Sequence, residues 1–479
     1  MNKINNPITE MSALALSDSI KSREVSCVEV MNAYLDKIEI LNPKVNAIVS
    51  LQDRDDLVEQ ARNKDKQLAN GQYMGWMHGF PHAVKDLSAV KGITLTNGSP
   101  IFKDFIAPND SVMVERIRNK GAIFIGKTNT PEFGLGSNTI NNVFGTTWNA
   151  WDQTKSSGGS SGGAAVALAL QMLPVADGSD MMGSLRNPAA WNNIIGFRPS
   201  QGRVPFGPTP EVFVSQLGLE GPMGRNVADT ARLLQTQSGY DARVPLSLGQ
   251  PLAPFTPPER KLRIGWLGDL NGALPMEEGV LSLCENALKV FEKLGHSVEP
   301  VKLDVTAEQM WETWLIWRHW IVSNGLRPLY DKPETRALLK PQAVWEVEGG
   351  LELTARDAYL ASVQRSTIYQ AFNKLFAEYD IVVLPTAQIF PFDPSQHSPL
   401  EVAGKQMDTY HRYMEVVVPA TLIGSPSLSV PVGFNAQGLP MGMQLIGPHA
   451  HDMEVLSIGQ IYEQETRWNL DYRPKLLQP

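Results

Sequence analysis

Apolar residues at Val28, Met31, Leu35, Ile38 and Leu41 recur at helical spacing, and Ser26-Cys27-Val28-Glu29 has the form of a capping box ahead of them. This pattern predicts an amphipathic helix that stops at Asn42-Pro43. A polar helix is expected from Asp53 to Ala69. Gly79 to Asp86 (GFPHAVKD) then reads as a short strand, and Gly121 to Gly126 (GAIFIG) as a compact buried one. Ile194 to Pro199 leads into turns. Past a cluster of prolines between Pro251 and Pro258, Lys261–Leu267, Glu277–Leu294 and His296–Leu303 alternate strand, helix and strand as a βαβ-like unit. Ile381–Pro385 and Ser427–Pro431 close the series as short apolar strands. No repeat of fixed period occurs, so the alternation predicts one large α/β domain carrying insertions.

Residues 305 to 325 depart from this regular patterning, because Trp311, Trp314, Trp317 and Trp320 follow one another at steps of three. On an α-helix four such residues cover roughly half the circumference, so they cannot all face one pocket. Two readings follow: a helix buried on most sides, or one or two rings that wall an apolar substrate channel.

The 479 residues carry a net charge of −8, with 43% hydrophobic and 19% charged residues, as in a soluble globular enzyme. The acidic balance and the lack of a basic cluster argue against nucleic acid as a partner. Cys27 and Cys284 stand far apart without a CxxC or Cys/His grouping, so no disulfide framework or zinc site is expected, and the cytoplasm is the default compartment. The N-terminal stretch MNKINNPITEMSALALSDSI has no continuous apolar run of the kind an export signal needs. The uncharged stretch Val416 to Phe434 contains Pro419, Pro426 and Pro431 and reads as strands and turns in a core, not as a membrane span.

Chemistry concentrates in KSSGGSSGGAAVALAL, residues 155 to 170. A Gly/Ser run alone would suggest a linker, but here it opens into an uncharged run of helix formers from Ala164 to Leu170, so a buried helix begins where the glycines end. Small residues at such a helix start let backbone N–H groups approach a ligand. Gly158 to Gly162 matches the G-x-S-x-G nucleophile elbow, but WNAWDQTK before it is polar and not strand-like, as an elbow requires. A Ser-His-Asp triad would also need a histidine; His296, His319, His397, His411, His449 and His451 are available, and none sits in a motif that singles it out. A hydroxyl nucleophile without histidine needs another base, and a lysine neutralised by burial can serve. Lys85 follows the apolar pair Ala83-Val84 and is the best placed by context; in an extended segment its neighbour Asp86 points to the opposite face.

Taken together, GFPHAVKD, SSGGSSGGAAVALA and DGSDMMGSLRNPA resemble the lysine segment, the Gly/Ser signature and the nucleophile loop of the amidase signature family, in the family's order and spacing. KTNTPEFGLGSNTINNVFG, GPMGRNVAD, YDIVVLPT and GSPSLSVPVGFNAQGLPMGMQLIG extend the likeness along essentially the whole chain. The resemblance implies Ser184 as nucleophile, Ser160 as bridging serine after a cis peptide bond, and Lys85 as base. It further implies an oxyanion hole from the N–H groups of Met181, Met182, Gly183 and Ser184, a supporting Ser161, and an Asp180–Arg186 pair bracing the loop. Ser156 and Ser157 remain loop residues. Met182 stands where family members usually carry glycine. If that position needs a positive φ, Met182 is strained; if not, its side chain occupies space in or beside the acyl pocket.

The implied fold is a single amidase signature domain, a mixed twisted sheet covered by helices on both faces. It would comprise an N-terminal helical segment (1–70), the signature core (75–240), an insert with the βαβ-like unit and the tryptophan helix (241–380), and a C-terminal completion of the core (381–479). The implied activity is hydrolysis of small amides with an apolar acyl or aryl group through an acyl-serine, with esters or carbamates as further substrates. No metal or organic cofactor and no membrane partner are expected, and a homodimer is one option for assembly. Two alternatives remain: a glutaminase-type subunit of a tRNA-dependent amidotransferase, and a degenerate homologue that only binds amides.

Overall fold

The computed structural model describes residues 4–478; the first three residues of the stretch read for an export signal lie outside them. Cys27–Val45 is the first long amphipathic helix, and its capping box is closed in both directions between Ser26 and Glu29. It does not stop at Asn42-Pro43. Pro43 falls in the last turn, where a missing N–H costs a single bond, and Leu41 and Val45 on either side of it are fully buried. The left-handed Asn46 ends the helix instead. The polar helix follows at Arg54–Ala69 behind the N-cap Asp53, whose carboxylate accepts from Asp55 and Asp56.

Eight strands build the main sheet. From one edge to the other they are Ser297–Pro300, Arg263–Trp266, Ile381–Pro385, Pro440–Ile446, Ser427–Phe434, Ile195–Arg198, Leu219–Gly224 and Ala176–Asp180. The first three run parallel, and the helix Val280–Lys293 joins Arg263–Trp266 to Ser297–Pro300 as the βαβ pattern predicts. The remaining pairings are antiparallel, which makes the sheet mixed. The segment 241–380, read as an insert, thus supplies the sheet with its two outer strands at that edge. Ile194 to Pro199 leads into a turn at 201–202, and within it Ile195–Arg198 forms a strand, buried throughout and paired on both sides, that the sequence pattern leaves unassigned.

Lys85 belongs to a second, three-stranded sheet, in which Pro81–Lys85 runs parallel to Ile123–Thr128, and Ile48–Val49 pairs with the same strand from the other side. Lys85 lies in register with Thr128 at the strand's end. The helix Gly162–Ala169, buried from Gly162 to Leu168, packs against this sheet and against the edge strand Ala176–Asp180 of the main sheet. Its glycines are required by close backbone packing. A Cβ at Gly163 would lie 2.3 Å from the Asn129 nitrogen, so only glycine lets the helix start settle there. Among the described residues no helix is long and apolar enough to cross a membrane.

Candidate active site

The end of the Pro81–Lys85 strand delivers Lys85 into a fully buried position. Its Nζ lies 2.7 Å from Ser160 Oγ, 2.8 Å from Ser161 Oγ and 2.9 Å from Ser179 Oγ. Among the described residues no carboxylate stands within ion-pair distance of it. The nearby Asp177 is engaged elsewhere, accepting from His82 Nε2 at 2.9 Å and from the Lys85 backbone N–H at 3.1 Å. Asp86 points away, as alternation along an extended segment predicts, and accepts from the backbone N–H and the hydroxyl of Thr96. Burial therefore dominates the lysine's electrostatics. It pushes the ammonium down to about 7 against the pull of Asp180, Asp177 and Glu220.

Ser160 and Ser161 stand at the start of the buried helix, and the Gly159–Ser160 peptide is cis. The segment before them forms no strand, which removes the basis for a nucleophile elbow. Ser161 Oγ accepts from the Ser179 N–H and donates to the Ser179 carbonyl, both at 3.3 Å. Ser161 can therefore only accept from Lys85.

Ser184 lies in the turn between the edge strand Ala176–Asp180 and the short helix Arg186–Asn192. Gly183 makes the turn with φ of 78°, and a Cβ there would meet Asn187 Oδ1 at 2.3 Å. Met182 has no positive φ, so it is not strained; it is buried and lines the cavity in front of Ser184. The four N–H groups expected to point at an oxyanion do not all do so. Gly183 N–H donates to Asp180 Oδ1 at 2.9 Å, whereas those of Met181, Met182 and Ser184 have no protein acceptor among the described residues.

Asp180 is the hub of the loop. Its carboxylate takes Arg186 Nε and Nη2 at 3.0 Å each and Arg198 Nη1 at 3.2 Å, with all three side chains fully buried. Burial alone would raise its pKa, but the two guanidiniums hold it well below the usual carboxylate range. Arg186 reaches on to Val417 O at 3.0 Å and Gln444 Oε1 at 2.7 Å, which ties the Ser184 loop to the C-terminal part of the chain. Arg198, Ser179 and the His82–Asp177 pair were not singled out from sequence. Ser179 and Asp177 lie inside DGSDMMGSLRNPA and His82 inside GFPHAVKD, whereas Arg198 lies in none of the quoted motifs.

Ser160 and Ser184 open into one cavity of about 520 Å³. Its far wall is a helix, Ala307–Tyr330, which presents Arg318, Val322, Leu326 and Leu329. The tryptophans lie on other faces: Trp311, Trp314 and Trp317 are buried in packing, and Trp320 lines a neighbouring cavity. Arg318 is neutralised by Glu346 and donates to Tyr410 Oη at 2.6 Å. No histidine lines the cavity; His411 is instead packed among Trp311, Trp345 and Tyr410. Among the described residues no three His, Cys, Asp or Glu side chains gather in a metal-holding cluster.

The family model Amidase matches residues 29–456, and the chain belongs to that family, the amidase signature enzymes. It is 32% identical to a glutamyl-tRNA(Gln) amidotransferase subunit from Trichodesmium erythraeum, over 95% of this chain and 98% of that protein. It is 31% identical to an acylamidase of Rhodococcus erythropolis, with 96% of each covered. The solved structure of a bacterial aryl acylamidase of the amidase signature family aligns with a TM-score of 0.90 at 28% identity, covering 97% of this chain and 98% of that one. The α/β fold, a mixed sheet flanked by helices, is the family's, and the protein is an amidase, a hydrolase of amide carbon–nitrogen bonds.

Proposed function

We propose that the protein hydrolyses small amides bearing an apolar acyl or aryl group, with Ser184 as nucleophile, Ser160 as the bridging hydroxyl and Lys85 as base. The observation that carries this reading is a lysine amine cut off from water and from carboxylates, and touching three hydroxyls. A neutral amine has two N–H donors and one lone pair. Ser161 must accept one donor; with the other assigned to Ser179, the lone pair is left for the Ser160 hydroxyl. Lys85 removes the Ser160 proton as Ser160 removes that of Ser184, and the Ser184 oxygen attacks the amide carbonyl. The N–H groups of Met181, Met182 and Ser184 stabilise the oxyanion, while Asp180 and Arg186, with Arg198 behind them, hold the loop that aims them. The relay in reverse protonates the leaving nitrogen, and water then cleaves the acyl-serine.

The cavity also speaks against glutamine as substrate. Its charged lining residues, Asp180 and Arg318, are already paired, which leaves no free charge for an α-ammonium or an α-carboxylate. Leu87, Phe102, Phe133, Val322 and Leu326 supply an apolar lining. The buried, unpaired thiols of Cys27 and Cys284 fit a reducing compartment such as the cytoplasm. Purified protein alone should cleave an aryl amide such as an acyl p-nitroanilide and leave glutamine intact, and a fluorophosphonate should label Ser184. Glutaminase activity without arylamidase activity, or no labelling of Ser184, would overturn the proposal.

A further inference from the structure

Beside the catalytic cavity lies a second one of about 690 Å³, and the two share Phe206 and Gly325 in their linings. Its walls include Val204, Val214, Leu246, Trp320 and Ile321, so it is mainly apolar. Gly325 is the informative residue. It sits inside the 24-residue helix Ala307–Tyr330, although glycine is a poor helix former that sequences avoid without cause. Packing is not the cause, because a Cβ built on Gly325 meets nothing within 4 Å. Gly325 is exposed, and its missing side chain leaves the solvent-open mouth shared by the two cavities unobstructed. Across it stands Phe206, which is 38% exposed.

We propose that the second cavity is an extended substrate subsite, and that the preferred substrates are amides carrying a long apolar arm that passes Gly325 and lies against Trp320 and Ile321. This rests on the amidase reading above and narrows it to a substrate class. It also gives the tryptophan helix a divided role, with Arg318, Val322 and Leu326 facing the reacting end and Trp320 the distal end. Burial of each added methylene in such a site is worth about fourfold in kcat/KM. Selectivity should therefore climb with chain length until the arm fills the cavity.

The test uses the full-length protein with two series of amides: p-nitroanilides with acyl groups from acetyl to decanoyl, and benzamides with N-alkyl groups of the same lengths. Wild-type kcat/KM should rise with length in at least one series, and the series that responds identifies which side of the scissile bond carries the arm. Gly325→Phe should lower the long-to-short kcat/KM ratio in that series by at least tenfold, and Ile321→Asp should lower it from the far end of the subsite. Gly325→Ala, which adds one methyl in open space, should fold normally and change the ratio by less than Gly325→Phe. Turnover that is flat with length in both series, or equal losses for short and long substrates in Gly325→Phe and Ile321→Asp, would overturn the subsite while leaving the amidase reading in place. Turnover of no amide by the wild type would overturn both.

Discussion

The two walls of the catalytic cavity are built on opposite principles. On one side Lys85, Ser160 and the Ser179–Ser184 stretch come from three separate segments, and the side chains of Lys85, Ser160, Ser179 and Asp180 bond to one another or to Arg186 and Arg198. On the other side a single helix presents Val322, Leu326 and Leu329, with one guanidinium already paired to Glu346. Directional bonds in low dielectric fix the first wall, because leaving any partner unsatisfied there is costly. Dispersion and area burial shape the second, which tolerates exchange of side chains of similar volume. Chemistry and substrate choice are thereby assigned to separable parts of the molecule.

The contrast between the walls breaks first at the triad. Ser184→Ala should lower kcat by about 10⁴-fold or more at unchanged thermal stability, measured with a p-nitroanilide and by calorimetry. Retention of a tenth of the activity would move the nucleophile elsewhere. Lys85→Met should be comparably inactive yet no less stable. A buried lysine held near 7 costs about 4 kcal/mol at neutral pH relative to the unfolded chain, and its removal offsets the lost hydrogen bonds.

Arg198→Met tests the same wall through stability. It leaves Asp180 short of one of its two buried cations and should cost about 3 to 5 kcal/mol, read from denaturant unfolding. A loss below about 1 kcal/mol would mean that Arg186 alone holds the loop.

A pH profile sharpens the distinction. Lys85 as the proposed base would work only when neutral, and burial places its pKa near 7, so kcat/KM should fall about tenfold per pH unit below that point. The same depressed pKa makes folding stability rise with pH between about 7 and the unfolded lysine value near 10.4, because the unfolded chain there binds the extra proton. An activity limb centred below pH 5 would instead point to a carboxylate. The smallest effect is expected on the apolar wall: Leu326→Ala should raise KM for an aryl amide about tenfold and leave kcat within a few-fold, since uniform binding area is lost and no bond to the transition state.

Much of this was legible along the chain. The Ser26–Glu29 capping box, the polar helix after Asp53, the βαβ unit and the lysine and serine motifs are local patterns, and local patterns report the conformation of the residues that carry them. Ile195–Arg198 was missed because four residues ending in Arg-Pro look like the approach to a turn; only pairing on both sides makes them a central strand. Arg198 was hidden with it, and its partnership with Asp180 joins two strands through side chains that no spacing rule connects. Likewise, periodicity shows that the tryptophans encircle half the helix, but not which remaining face fronts the cavity.

By itself the sequence determined which groups could do chemistry, because hydroxyls, an amine and glycines at fixed intervals define reactive types and backbone freedom. The tertiary structure decided what those groups are worth. It removed water from around Lys85, turned the Gly183 N–H to Asp180 and away from the cavity, and left room at Gly325. Each of these depends on segments distant along the chain, since dielectric, hydrogen-bond competition and empty space belong to a neighbourhood and not to any one residue.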